Sequence, residues 1–121
     1  MKTAKDPRHL KRINLMQSLY TRSFQSNKKP TKAILHIISK LDEIDDLISR
    51  SAPDRPLKEI NRIDLAILRL SIFELIIKKG VPFKVAVDEA VELGKEFGSN
   101  SSASFINGVL GQIIAKQHLD E

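Results

Sequence analysis

One segment of the chain, residues 57–79, is apolar on nearly every side and constrains the fold more than any other. Between residues 63 and 77 it consists mostly of isoleucine, leucine, alanine and phenylalanine, which leave little polar surface on a helix. A helix that is apolar all round is buried on most sides. Gly80 follows as a stop signal, and Lys78 and Lys79 suit the negative end of the helix dipole. We therefore expect a central helix over residues 57–79, with other elements packed around it.

Four other segments show the three- and four-residue spacing of apolar residues that is typical of amphipathic helices. They cover about residues 7–25, 31–50, 82–98 and 102–117. Pro7 stands where the first helix begins, and Gly98 stands where the fourth ends. The first helix has an apolar stripe that contains Leu10, Ile13, Met16, Tyr20 and Phe24. No segment alternates strictly between apolar and polar residues, so the predicted fold class is all-α.

The second and fourth of the five predicted helices carry acidic outer faces. Asp45 lies on the outer face of the second helix. The fourth helix has Val85 on its apolar stripe, with Glu89 and Glu96 on the opposite face. A charged face opposite an apolar stripe is typical of a helix that packs by one side only. We therefore predict that these carboxylates are solvated.

The longest break between the apolar segments is the sequence SAPDRP at residues 51–56. We interpret it as a hinge inside a single domain of residues 1–121, between an N-terminal subdomain of about residues 1–52 and a C-terminal one of about residues 56–121. The sequence has no cysteine, no apolar run long enough to span a bilayer and no signal-peptide core. We expect a cytoplasmic protein without disulfides or a membrane segment.

No motif for catalysis or metal binding is visible in the sequence. It lacks a glycine-rich phosphate loop, an HExxH motif, a nucleophile elbow and a thiol nucleophile. The histidines His9, His36 and His118 lie on separate segments without ligand spacing, and we interpret each as a surface or boundary residue. We therefore expect a binding protein rather than an enzyme, with neither a cofactor nor a metal site.

Positive charge is concentrated at the beginning of the chain. The net charge is +5, and nine of the 20 lysines and arginines lie in the first 32 residues, where Asp6 is the one acid. No acidic partner at helical spacing lies on the first helix. This cluster favours contacts to the phosphates of single-stranded RNA, and a solubilising tail is the alternative. The candidate contacts precede the first helix or project away from its apolar stripe: Lys2, Lys5, Arg8, Lys11 and Arg12.

The second half of the chain contains a series of motifs in a characteristic order. They are DLAILR at residues 64–69 followed by EL at 74–75, VPFKVAVDEAVEL at 81–93 and FINGVL at 105–110. Together with a basic first helix that ends in Leu19-Tyr20, this combination resembles the NusB family of bacterial antitermination factors. The combination is specific, whereas any one of these motifs alone would be weak.

The resemblance implies a NusB-like helical bundle of about five to seven helices in two packed subdomains. It also implies a non-enzymatic adaptor that binds boxA-type single-stranded RNA in the transcription elongation complex, as a heterodimer with the ribosomal protein NusE, and acts on rRNA transcription. In such proteins the basic first helix and the arm before it contact RNA. The partner-protein surface carries over to Tyr20, Glu74 and Phe105. Each of these has a structural alternative: Tyr20 as part of the apolar stripe, Glu74 as a partner of a neighbouring backbone group or of Arg69, and Phe105 as core.

The sequence also departs from the family pattern. The stretch before Thr31 is short, and the first helix has fewer arginines than in better-known members. Ser101 and Ser104 stand in a loop where family members often have charged groups near the RNA. Gly111 follows Val109-Leu110 at a position where the family usually has an aspartate. These departures favour RNA binding that depends on the partner protein. The alternatives are a homodimeric interaction module with vestigial RNA binding, a targeting domain like the one fused to rRNA cytosine methyltransferases, and a DNA-binding helix-turn-helix.

Overall fold

The computed structural model describes residues 6–25 and 27–119 and is helical throughout them. The α-helices are α1 (Pro7–Phe24), α2 (Leu35–Ser39), α3 (Leu41–Ser51), α4 (Arg62–Ile72), α5 (Phe83–Phe97) and α6 (Ser102–Lys116). Short 3-10 helices at Lys32–Ile34 and Leu57–Glu59 precede α2 and α4, and a π-helix at Phe73–Lys78 continues α4. The predicted all-α fold class is confirmed.

The first helix begins as its sequence predicts. The Asp6 side chain accepts a hydrogen bond from the Arg8 backbone N–H at 2.9 Å, and Pro7 occupies the first helical position. An N-cap of this kind satisfies a backbone donor that has no partner within the helix. The Arg8 hydrogen bond also holds the pKa of Asp6 below its usual value.

Two of the five predicted helices are divided in the structure. The second is interrupted at Lys40, whose backbone angles (φ −111°, ψ 13°) are not helical, so α2 and α3 are separate. The predicted central helix begins later than expected, because the Asn61 side chain caps a new helix by accepting from the Ile63 backbone N–H at 2.8 Å. This helix then continues as the π-helix, which ends at Lys78. The next residue, Lys79, has a φ of 58°, which lies in the left-handed region.

Helix α4 lies at the centre of the core. It packs against α1, α3, α5 and α6, and α5 and α6 pack against each other. Eight of its eleven residues are buried: Asp64, Leu65, Ala66, Ile67, Leu68, Leu70, Ser71 and Ile72. The predicted burial of this segment is confirmed. Among residues 6–25 and 27–119, no helix is both long enough and apolar enough to cross a membrane.

Three residues predicted to face the core are exposed instead. Leu10 is 45% exposed, Phe24 57% and Val85 42%. The buried residues of α1 are His9, Met16 and Leu19, so the inward face is turned by about one residue from the predicted stripe. The buried residues of α5 are Ala86, Glu89, Ala90, Leu93 and Gly94, and Val85 lies outside this face. The cause on α1 is a set of ion pairs that gives His9 and Arg12 partners in the interior, described below.

The turn between α5 and α6 depends on a glycine. A Cβ at Gly98 would overlap the Ser102 side chain and lie 2.7 Å from the Gly94 carbonyl oxygen. We expect Gly98→Ala to lower the free energy of unfolding by about 1–3 kcal/mol, as other overpacked sites do. Urea unfolding of both proteins measures this difference.

Gly108 provides the matched control for that substitution. A Cβ at Gly108, within α6, would meet no atom within 4 Å. Gly108→Ala should therefore raise the free energy of unfolding by up to about 1 kcal/mol, because alanine favours the helix over glycine. If both substitutions have the same effect, close packing at Gly98 does not limit stability.

Candidate nucleic-acid interface

Two of the predicted RNA contacts lie exposed on the first turns of α1. The Arg8 side chain is 85% exposed, and its Nε lies 3.6 Å from the Asp6 carboxylate. Lys11, one turn further along, is exposed as well. An exposed ion pair of this length contributes little to stability. Both cations are therefore available to an anionic partner.

Arg12, a third predicted contact, points into the protein. Its Nε donates to both carboxylate oxygens of Glu74 at 3.1 Å, and its Nη1 lies 3.7 Å from Glu89 Oε1. The side chains of Arg12, Glu74 and Glu89 are 11%, 8% and 7% exposed. Arg12 thus joins α1 to the π-helix and to α5. In this position its guanidinium is directed to carboxylates within the chain.

His9 is buried beside Arg12 and bridges two carboxylates of α5. Its Nδ1 lies 3.0 Å from Glu89 Oε2, and its Nε2 lies 3.2 Å from Glu96 Oε1. The hydrogen bond with Glu89 raises the pKa of His9 above its ordinary value, burial opposes this, and the bond with Glu96 adds to it. Both contacts are hydrogen bonds at once only when the imidazole is protonated, since each nitrogen must then donate.

The expected surface position of His9 and the expected solvation of Glu89 are therefore both wrong. Each side chain is excluded from water because it has a partner of opposite charge on another helix. The predicted solvation of Asp45 is also wrong in part, since its carboxylate binds Arg69 through two hydrogen bonds of 2.9 Å and is 21% exposed.

These groups form a row of alternating charge, which we call the ion row: Glu96, His9, Glu89, Arg12 and Glu74. Glu96 is 45% exposed, and the other four are largely buried. A buried charge is tolerated when it is paired and hydrogen-bonded. The ion row fixes the rotation of α1 about its own axis. This rotation places Arg8 and Lys11 towards solvent.

The predicted partner-protein residues occupy three different environments. Tyr20 is half-buried and contacts the exposed Phe24 edge to face, with ring centroids 5.1 Å apart. The Arg62 guanidinium covers the Phe24 ring at 4.3 Å from its centroid. Phe105 is half-buried beneath Arg55, whose guanidinium carbon lies 4.4 Å from the ring centroid. Glu74 is buried in the ion row, and its partner is Arg12 rather than Arg69.

Two further predicted RNA contacts and one other basic residue, Arg22, complete this description. Lys2 and Lys5 lie outside the described residues. Arg22 is half-buried near the end of α1, and its Nη1 is buried without a hydrogen-bond partner. Within residues 6–25 and 27–119 no group of three or more acidic or histidine side chains could hold a metal ion.

The sequence-based prediction did not include the ion row, because it considered acidic partners for the basic residues only within α1. His9 and Arg12 share one face of α1 at a spacing of three residues, and Glu89 and Glu96 share one face of α5 at a spacing of seven. Two such faces of opposite charge are the pattern that would have indicated the pairing. His9 and Glu89 are 80 residues apart in the chain, and His9 and Glu96 are 87 residues apart.

The fold and the site define an all-helical protein with a basic helix held in one orientation on its surface. The sequence profile of the NusB family matches residues 8–115. The chain belongs to the NusB family, whose members are transcription antitermination proteins, a non-enzymatic class.

Individual relatives agree with this assignment. The NusB protein of Myxococcus xanthus is 39% identical over 81% of this chain and 75% of its own length. That of Shewanella oneidensis is 42% identical over 67% of this chain, and that of Dehalococcoides mccartyi is 49% identical over 64%. The chain spans 60% and 54% of these last two relatives. Among solved structures, T. maritima NusB superposes with a TM-score of 0.83 at 30% identity, covering both chains fully.

Proposed function

We propose that this chain binds boxA-type single-stranded RNA together with the ribosomal protein NusE, and that it acts on rRNA transcription within the elongation complex. The observation that carries the proposal is the exposure of Arg8 and Lys11 on a helix whose rotation is fixed by the ion row. Family membership supports a role with RNA and the transcription machinery.

The exposed part of α1 has the chemistry that an RNA backbone requires. Lysine and arginine neutralise phosphates and release counterions, which makes binding strongly dependent on salt. Asp6 is the one acid within the first 32 residues. Lys2 and Lys5 precede α1 in the sequence and belong to the same proposed surface. Arg12 has a positioning role in this proposal, because it holds α1 in place through Glu74.

We place the NusE contact at the aromatic pair at the end of α1. Phe24 is 57% exposed, and Tyr20 beside it is half-buried. Exposed aromatic residues are enriched at protein interfaces. Phe105 is half-buried on α6 and is a second candidate contact. Glu74, which is buried, supports the interface indirectly, because its ion pair with Arg12 fixes the rotation of α1 about its own axis.

A gel-shift experiment with boxA-type RNA, with and without NusE, tests the proposal. The full chain and NusE together should bind boxA RNA more tightly than a scrambled strand of equal length, and the preference should weaken without NusE. Sedimentation of the isolated chain provides a second readout. Equal binding of both strands, or a tight homodimer that buries α1, would contradict the proposal.

The salt dependence of binding identifies the phosphate contacts. Replacing Arg8 and Lys11 together with glutamine should reduce the slope of log K against log salt by about 1.4, because each contact to a single strand contributes roughly 0.7. Lys58 and Lys84 are exposed on other elements, and their double replacement with glutamine is the control with the same net charge. If both double variants change the slope equally, the effect comes from net charge rather than from α1.

A further inference from the structure

We propose that a groove beside α1 binds one nucleotide of the RNA, with its base against His36 and Phe73 and its phosphate between Lys11 and Lys78. The groove lies between α1, the start of α2 and the π-helix, and its volume is about 470 Å³. This inference rests on the proposed function and assigns it a specific subsite.

The groove continues the exposed basic surface of α1. Lys11 lies both on that surface and in the wall of the groove, and Lys78 lies in the wall as well. Both lysines are exposed, and within residues 6–25 and 27–119 no aspartate or glutamate lines the groove. A strand whose phosphates follow Arg8 and Lys11 would therefore reach the groove without meeting a carboxylate there.

The apolar part of the groove includes a pair of rings. His36 and Phe73 contact each other edge to face, with centroids 5.0 Å apart and ring planes at 82°. His36 is exposed, and Phe73 is half-buried. Unstacked bases of single-stranded RNA stack on aromatic side chains, histidine included. Leu15, which is half-buried, extends the apolar surface offered to a base.

The polar groups of the groove favour an anionic nucleotide over a peptide. Apart from His36, the polar side-chain groups of its lining are the two ammonium groups of Lys11 and Lys78, which only donate hydrogen bonds. A peptide would require acceptors for its backbone N–H groups, whereas phosphate and base carbonyls are acceptors. Phe73 also begins the π-helix, a backbone feature that is frequent at functional sites.

A thermodynamic cycle between His36 and the RNA tests the proposal. Binding of boxA RNA and of a series with one abasic nucleotide at successive positions is measured for the full chain with NusE. At one position the abasic substitution should weaken binding of the wild-type protein roughly fivefold or more. The same substitution should have little further effect on His36→Ala. His36→Phe should restore both the affinity and the sensitivity to the abasic position, which a purely structural role would not explain.

Leu35, the chain neighbour of His36, supplies the control. It is 44% exposed and does not line the groove, so Leu35→Ala should keep the wild-type abasic profile. If the wild-type protein binds boxA RNA but no position couples to His36, the groove proposal is wrong while the proposed function stands. If His36→Ala weakens NusE binding and leaves RNA binding unchanged, the groove belongs to the protein partner and the proposal is also wrong. If the wild-type protein shows no preference for boxA RNA, the proposed function itself fails.

Discussion

Replacing Arg12 with alanine should lower the free energy of unfolding by about 3–5 kcal/mol. The substitution removes the donor to both oxygens of Glu74 and the cation nearest to Glu89 Oε1. Glu74 would be left as a buried carboxylate without its counter-ion. Breaking one side of a buried ion pair is costly because the remaining charge has lost its hydration as well as its partner. Urea unfolding at neutral pH, followed by circular dichroism, measures the change.

Two further variants separate the pairing from other effects of the substitution. Arg8→Ala removes an equal charge from an exposed site and should change the free energy of unfolding by less than about 0.5 kcal/mol. Replacing Arg12 and Glu74 together with methionine should recover part of the loss, because Glu74 is then no longer a buried charge, while Glu89 keeps its contact with His9. If Arg12→Ala is as stable as the wild-type protein and only RNA affinity falls, Arg12 contacts phosphate directly.

The helices themselves were predictable because their determinants are local. The spacing of apolar residues, the proline after Asp6 and the glycine at position 98 place α1 and α5 within one or two residues of their observed bounds. The buried character of α4 follows from its composition in the same way. The cap at Asn61 was present in the sequence too, but the prediction of one helix over residues 57–79 placed Asn61 in its interior.

The orientation of α1 was not predictable from its own sequence. A hydrophobicity pattern assigns Leu10 to the core and Arg12 to solvent, whereas the structure does the reverse. The difference arises because carboxylates on α5 and on the π-helix lie opposite His9 and Arg12. Which basic residues of α1 are exposed is therefore decided by residues more than 60 positions away in the chain.

In the proposed function, the ion row accounts for RNA binding by few basic residues. Arg8 and Lys11 lie on a helix whose rotation is fixed, so less conformational freedom is lost when they meet a strand than if the helix could turn. Affinity then depends on the correct presentation of a few cations rather than on their number. Loosening the ion row should accordingly weaken RNA binding without removing any contact to RNA.

His9→Ala should lower the free energy of unfolding by about 2–3 kcal/mol near pH 5.5, because it removes the hydrogen-bonded partner of Glu89 Oε2, and Arg12 lies 3.7 Å from the other carboxylate oxygen. The His9 and Glu89 side chains are 6% and 7% exposed, so solvent screens this pair little. Leu10→Ala is the control, since Leu10 is the exposed chain neighbour and does not titrate. Its effect should be small and should stay constant with pH.

The pH dependence of the His9 effect follows from the direction of its pKa shift. The pKa of His9 is raised in the folded state above the ordinary value of 6.5, mainly by the hydrogen bond with Glu89. Below the unfolded pKa the imidazole is protonated in both states, so its stabilising effect is fully present. As the pH rises through the folded pKa the proton is lost, and a neutral ring can no longer donate to both Glu89 and Glu96. The difference in unfolding free energy between the wild-type protein and His9→Ala should therefore shrink as the pH rises above the ordinary histidine pKa of about 6.5 and through the raised folded pKa. A difference that grows over this range would mean that His9 is held neutral in the folded protein.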